Sequence, residues 1–176
     1  MGLALLVVSL VGVVTGWFVT DRRLQMASVL VATLALAAVA GVGLVRTDAA
    51  PSDPWPHLFL LATGALVAIG GGGPTTTLVF TLIDGAASTG QRSMAQAGQV
   101  LRGGAWIGAL ERAAVFATLI WGWPEGLAVV LGLKGLGRYP ELRSGDSSGI
   151  AERFIIGTFT SVLWAAACAG SVLLLL

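Results

Sequence analysis

The stretch GLALLVVSLVGVVTGWFVT-DRR-LQMASVLVATLALAAVAGVGLV, residues 2–45, decides the fold. Residues 2–20 carry no charge, residues 24–45 carry none, and between them lie only Asp21, Arg22 and Arg23. A helix needs about 20 apolar residues to cross a ~30 Å hydrocarbon core, and each run is of that length. The charged triplet is a turn, so the two runs form an antiparallel hairpin of transmembrane helices. No Lys or Arg precedes the first run, and its length suits a full span better than the apolar segment of a signal peptide. It is expected to be a retained helix whose carboxyl end, marked by Arg22 and Arg23, is cytoplasmic.

The rest of the chain continues in kind. Of its 176 residues 56% are hydrophobic and 11% charged, with a mean hydropathy of +0.88. Ordinary globular chains are about 25% charged, and a soluble domain of this size leaves about 30% of its chain surface in water. The bilayer is therefore the solvent this composition suits. The expected fold is all-α: a polytopic transmembrane helical bundle of about six spans, near 2–20, 24–45, 58–84, 104–123, 124–138 and 150–176, in one membrane-embedded domain covering 1–176. The lipid bilayer is the expected partner, with a second copy or another membrane protein as the further class. A net charge of +1 gives no basis for nucleic-acid binding. The single cysteine, Cys168, lies in an apolar run and is read as a buried packing thiol.

Between the runs, residues 46–57 hold three prolines, two aspartates and the only histidine, His57, and read as an extended outer loop. The third run contains Gly70, Gly71, Gly72, Gly73 and Pro74. Each glycine costs about 1 kcal/mol relative to alanine in a helix, and proline removes a backbone donor. A helix broken there, with halves 58–69 and 75–84, is the expectation. Such a break at membrane depth survives only against protein or a wet cavity. It admits two readings: a close helix crossing with a kink, or the unwound binding site of a transporter, with Thr75, Thr76 and Thr77 supplying hydroxyls.

Residues 85–103 are the most polar connection, and Arg92 and Arg102 place it in the cytoplasm. Pro124 and Glu125 suit the start of a fifth helix, which Tyr139 and Pro140 are expected to end, leaving 141–149 as a loop. With both termini outside, Arg22, Arg23, Arg92, Arg102, Arg138, Arg143 and Arg153 fall on the cytoplasmic side and Arg46 alone outside. Five spans, with 124–138 lying on the surface, is the main alternative.

This orientation brings the ionisable residues of the later spans into the inner half of the membrane: Glu111, Arg112, Lys134, Arg138, Glu152 and Arg153. A charge at the bilayer centre costs about 2.5–3.5 kcal/mol, which favours pairing, as of Glu111 or Glu152 with Lys134. The cluster is either a structural clasp between helices, with Arg112 and Arg153 snorkelling, or a proton relay, ion site or anion pocket. No catalytic, metal or cofactor motif is complete. Gly145–Gly149 matches G-x-S-x-G in letters, but it lacks the strand-turn-helix setting and a histidine on the same side of the membrane.

Three blocks in the carboxyl half carry a family resemblance: GAWIGALER (104–112), KGLGRYPEL (134–142) and AERFIIGTFTS (151–161). They resemble IGxLER, KxxxRxxEL and AExxxIGTxxS patterns of a group of small uncharacterised bacterial polytopic membrane proteins. The resemblance implies a helical protein of the bacterial cytoplasmic membrane and no particular activity. The leading expectation is a non-enzymatic membrane component with a charged inner-leaflet clasp. A small transporter or ion pathway using Glu111, Lys134 and the Gly70–Pro74 break stands against it. A membrane enzyme acting on a phosphorylated lipid, with Arg92, Arg102, Arg138 and Arg143 attracting phosphate, is the third reading.

Overall fold

A computed structural model describes residues 2–19, 21–45, 54–83, 104–143 and 148–176. Among them are six helices and no strand: α1 (Gly2–Phe18), α2 (Arg22–Val45), α3 (Pro54–Ile83), α4 (Gly104–Ile120), α5 (Gly126–Arg143) and α6 (Ser148–Leu173). Three are long and apolar enough to cross a membrane, over Arg23–Val45, Trp55–Ile83 and Ala151–Leu173.

Local chemistry explains the ends. Asp21 caps α2, its Oδ1 accepting the Arg23 N–H at 2.8 Å, so the two arginines belong to the first turn of the helix. α3 starts at Pro54 and not after His57. Pro54 and Pro56 fall where helical N–H groups have no partner anyway, and the last four residues of the expected outer loop, 54–57, are helix. α4 ends in a Schellman turn. Gly122 takes a left-handed φ of 71°, the Trp123 N–H reaches the Thr118 carbonyl, and the Gly122 N–H reaches that of Leu119. Pro124 and Glu125 lie in a second turn just before α5, their carbonyls accepting the Leu127 and Ala128 N–H groups. α5 in turn runs through Tyr139 and Pro140 to Arg143. At 18 residues it is about 27 Å long, a turn longer than the expected segment.

The expected break in the third helix is corrected: α3 is continuous over 30 residues with Pro74 inside it. The deficit is met from outside the helix. Pro74 has no N–H for the Gly70 carbonyl four residues back, and the Trp17 indole N–H of α1 donates to that oxygen at 2.9 Å. The hydroxyls of Thr75, Thr76 and Thr77 bond back to the carbonyls of Gly71, Gly72 and Gly73. Successive helix residues point about 100° apart, so four glycines in a row clear the whole circumference of α3 at one level. Side chains of three helices fill that collar. A Cβ would meet Val13 of α1 at Gly70, the Trp164 ring of α6 at Gly71, Arg112 of α4 at Gly72 and Trp17 at Gly73.

α3 is thus the centre of the bundle, packed against α1, α2, α4 and α6. Contacts at both ends show each helix reversing the direction of the one before. At one end Gly2 meets Leu175, Gly43 meets Leu174 and Gly64 meets Val172. At the other, Gly16 meets Ser28 and Pro74, and Gly157 meets Phe80. α5 runs back along α4, with Gly126 against Thr118 and Lys134 bonded to Glu111. The buried core draws Leu6, Leu36, Val67, Val115 and Val172 from the other five helices, and α5 adds only the half-buried Leu127 and Val130. Large apolar side chains cover the outside: Leu34 is 68% exposed, Leu66 55% and Leu163 65%. An apolar exterior of this extent belongs against lipid or another protein.

Candidate functional site

The charged end of the bundle holds a cleft of about 580 Å³ between α3, α4, α5 and α6, with Trp17 of α1 on its wall. Its lining repeats at helical spacing: Gly72, Thr76 and Phe80; Gly104, Gly108 and Arg112; Arg153, Gly157 and Ser161. Residues four apart share one helix face. From Arg153 to Ser161 a helix rises about 12 Å, which sets the depth of that wall.

Arg112 is only 6% exposed. Its Nε–H donates to the Ile69 carbonyl of α3 at 2.7 Å, and its Nη1 donates to the Ser161 hydroxyl of α6 at 3.4 Å. One guanidinium therefore ties three helices together. The glycines at 72 and 108 give its stem and head the space a side chain would take. The preceding residue on α4, Glu111, forms an ion pair with Lys134 of α5. Lys134 also lies 5.8 Å from the centre of the Phe154 ring of α6, and the Arg153 guanidinium lies 5.5 Å from that of Phe80 on α3. Both are within cation–π range. Thr158 stands on the same wall with its hydroxyl buried and without a hydrogen-bond partner among the described residues.

Of the residues singled out by sequence, the cleft gathers Glu111, Arg112, Lys134, Arg153, Gly72, Gly73, Thr76 and Thr77. Glu152 is exposed and is not part of the lining, so Lys134 pairs with Glu111. Gly70, Gly71 and Pro74 serve packing of α3 and do not line the cleft. Arg138 lies in α5, but its side chain is outside the described residues, as are those of Glu141 and Arg143. Arg46, Arg92, Arg102 and most of the Gly145–Gly149 motif also fall outside them. Sequence reading missed Trp17, Phe80, Phe154, Thr158 and Ser161. The four-residue spacing of 72/76/80 and 153/157/161 was the available signal.

Cys168 is fully buried in the core. His57 sits in the first turns of α3, half-buried, with Nε2 unpartnered among the described residues. Among the described residues no group of three or more His, Cys, Asp or Glu sits together. No family model, curated protein or solved structure matches this chain.

Proposed function

We propose that the chain is a six-span protein of the bacterial cytoplasmic membrane, both termini outside, and a non-enzymatic membrane component whose charged inner half clasps its helices together. The observation that carries this reading is Arg112, whose one side chain bonds α3 and α6 from α4. The Glu111–Lys134 pair, which fastens α5, adds to it. Ionisable side chains are costly at membrane depth, and mutual bonding is what reduces that cost. Six helices that alternate in direction support six crossings, although α1, α4 and α5 are shorter than the other three. The excess of arginine at the charged end supports placing that end in the cytoplasm. The bilayer is the partner this exterior suits, and a second copy or another membrane protein could cover part of it.

The cleft favours a second reading, a small solute or ion pathway, because an opening of this volume is not needed to pair charges. The first reading is tested in two parts. Reporter fusions at residue 95 are expected to be cytoplasmic, and those at residue 50 and after Leu176 external. A cytoplasmic carboxyl terminus overturns the six-span topology. Arg112→Lys keeps the charge but loses the planar fork that serves two acceptors, and is expected to insert normally with lowered thermal stability in detergent. An unchanged melting temperature overturns the clasp.

A further inference from the structure

The outer face of α4 carries a tryptophan at each end. Trp106, Leu110, Ala117 and Trp121 share one exposed face, with Trp106 75% and Trp121 87% exposed. Trp121 follows the last residue of α4, yet its N–H still bonds the Ala117 carbonyl at 2.9 Å, so it keeps the helical register. At 1.5 Å per residue the two tryptophans lie about 22 Å apart along the axis. Helical side chains lean toward the N-terminus, so both rings shift the same way and the spacing is kept. α5 repeats the pattern. Its Lys134 is bonded to Glu111, which sets the register of the two antiparallel helices. Trp106 lies five residues from Glu111 and Tyr139 five from Lys134, both toward the charged end, and Tyr139 is exposed as well. Two aromatic rings thus stand at one level there. At the opposite end Trp121 and Trp123 stand together, both exposed.

Tryptophan and tyrosine settle at the boundary between hydrocarbon and headgroups. We propose that the α4–α5 hairpin sits in a bilayer edge thinned to about 22 Å, and so gathers short-chain phospholipids around itself. The proposal rests on the six-span reading. A typical hydrocarbon core is ~30 Å thick, and other faces of the bundle suit it. The apolar stretches Arg23–Val45 of α2 and Ala151–Leu173 of α6 hold 23 residues each, about 34 Å of helix. α2 packs on α1, α3 and α6, whereas α4 packs on α3, α5 and α6, so the hairpin has a stretch of perimeter of its own. Tilting does not relieve the mismatch, because it shortens the reach of a helix across the membrane. Sliding does not relieve it either, because seating one aromatic level carries the other into hydrocarbon. Thinning seats both. It also keeps the Glu111–Lys134 pair about 7.5 Å from the inner boundary, where a charge costs less than at the bilayer centre.

The test is amide hydrogen exchange of the full chain in vesicles of dimyristoleoyl, dioleoyl and dierucoyl phosphatidylcholine, fluid bilayers of increasing thickness. Amides of residues 127–133 report the hairpin, and those of residues 30–40 report α2. Each ångström of mismatch adds a small cost, and the costs sum over several ångströms. Protection of the hairpin is therefore expected to be greatest in the shortest-chain lipid and to fall about tenfold by the longest, while that of α2 does not fall. Hairpin protection that is equal in the three lipids, or greatest in the longest, overturns the proposal. Trp106→Leu combined with Trp121→Leu removes the ring at each end of α4, both at exposed positions. It is expected to reduce the dependence to about threefold or less, and the full dependence in that variant overturns the proposal as well. Protection that follows the protein-to-lipid ratio in place of chain length assigns this face to a second copy and also overturns it. The carboxyl-terminal reporter fusion separates the two levels of failure. With that terminus external, a failure here removes the thinned edge and leaves the six spans standing. With it cytoplasmic, the six-span reading falls and the proposal falls with it.

Discussion

Lys134→Met isolates the contribution of the ion pair. It leaves the Glu111 carboxylate in a site where that side chain is 15% exposed and the lysine was 19% exposed. Breaking a fully buried pair by removing one partner costs about 3–5 kcal/mol. Residual exposure on the cleft lets water screen part of that, so about 2–3 kcal/mol is the expectation. The loss should be local. α5 packs principally on α4 and places no side chain in the fully buried core, so it can loosen without unfolding the rest. In hydrogen exchange, amides of residues 127–137 should lose protection by about 30- to 100-fold, the equivalent of that energy at ten-fold per 1.4 kcal/mol. Amides around Val67 and Val172 should not change. Lys134→Met combined with Glu111→Gln removes both charges and should recover much of the protection, since apolar replacement of a whole buried pair can be neutral. Lys134→Arg is the charge-conserving control. Unchanged protection in the single variant, or a double variant as loose as the single one, refutes the claim that this pair fastens α5.

Two further perturbations probe the collar on α3. Gly71→Ala drives a methyl group into the Trp164 indole, an overpacking cost of about 1–3 kcal/mol offset by about 1 kcal/mol of helix propensity. Trp164→Phe removes the ring atoms it strikes, so thermal melts should show the double variant less destabilised than the sum of the singles. Trp17→Phe deletes the donor to the Gly70 carbonyl and should cost about 1 kcal/mol. The same change in a Pro74→Ala background should cost almost nothing, because alanine restores the helical N–H. Equal losses in the two backgrounds would sever the link between Trp17 and Pro74.

The helical class and the placement of the runs were legible because hydropathy is a local property, readable within a window of about 20 residues. The errors fall where a local rule meets a special position. Pro54 and Pro56 read as loop residues, yet at a helix start their missing N–H groups cost nothing. Pro140 reads as a stop, but α5 carries it one turn from its end. The candidate site was half legible. An ionisable side chain within an apolar run announces itself, which is why Glu111, Arg112, Lys134 and Arg153 were found. Phe80, Phe154, Thr158 and Ser161 do not stand out from their runs, and only the packing of α3 and α6 brings them into the cleft.

The helix through Gly70–Pro74 is not encoded in that segment alone. Taken alone, four glycines and a proline lack a carbonyl partner and have little to favour the helix, and a break is the correct inference for an isolated peptide. The missing terms are contributed by residues far away in sequence. Trp17 supplies the donor that Pro74 lacks, and Trp164 and Arg112 occupy the volume the glycines vacate while bonding to the carbonyls of Val67 and Ile69. Bare backbone is then an asset, because three helices can reach α3 at one level, and only a residue without a Cβ admits all of them. The same approach fixes where the Arg112 guanidinium lies. Gly72 lets its stem against α3, Ile69 and Ser161 set its plane, and the side chain so held forms part of the cleft lining. The glycine run thus acts on the site not by unwinding but by letting a charged side chain come close enough to be held.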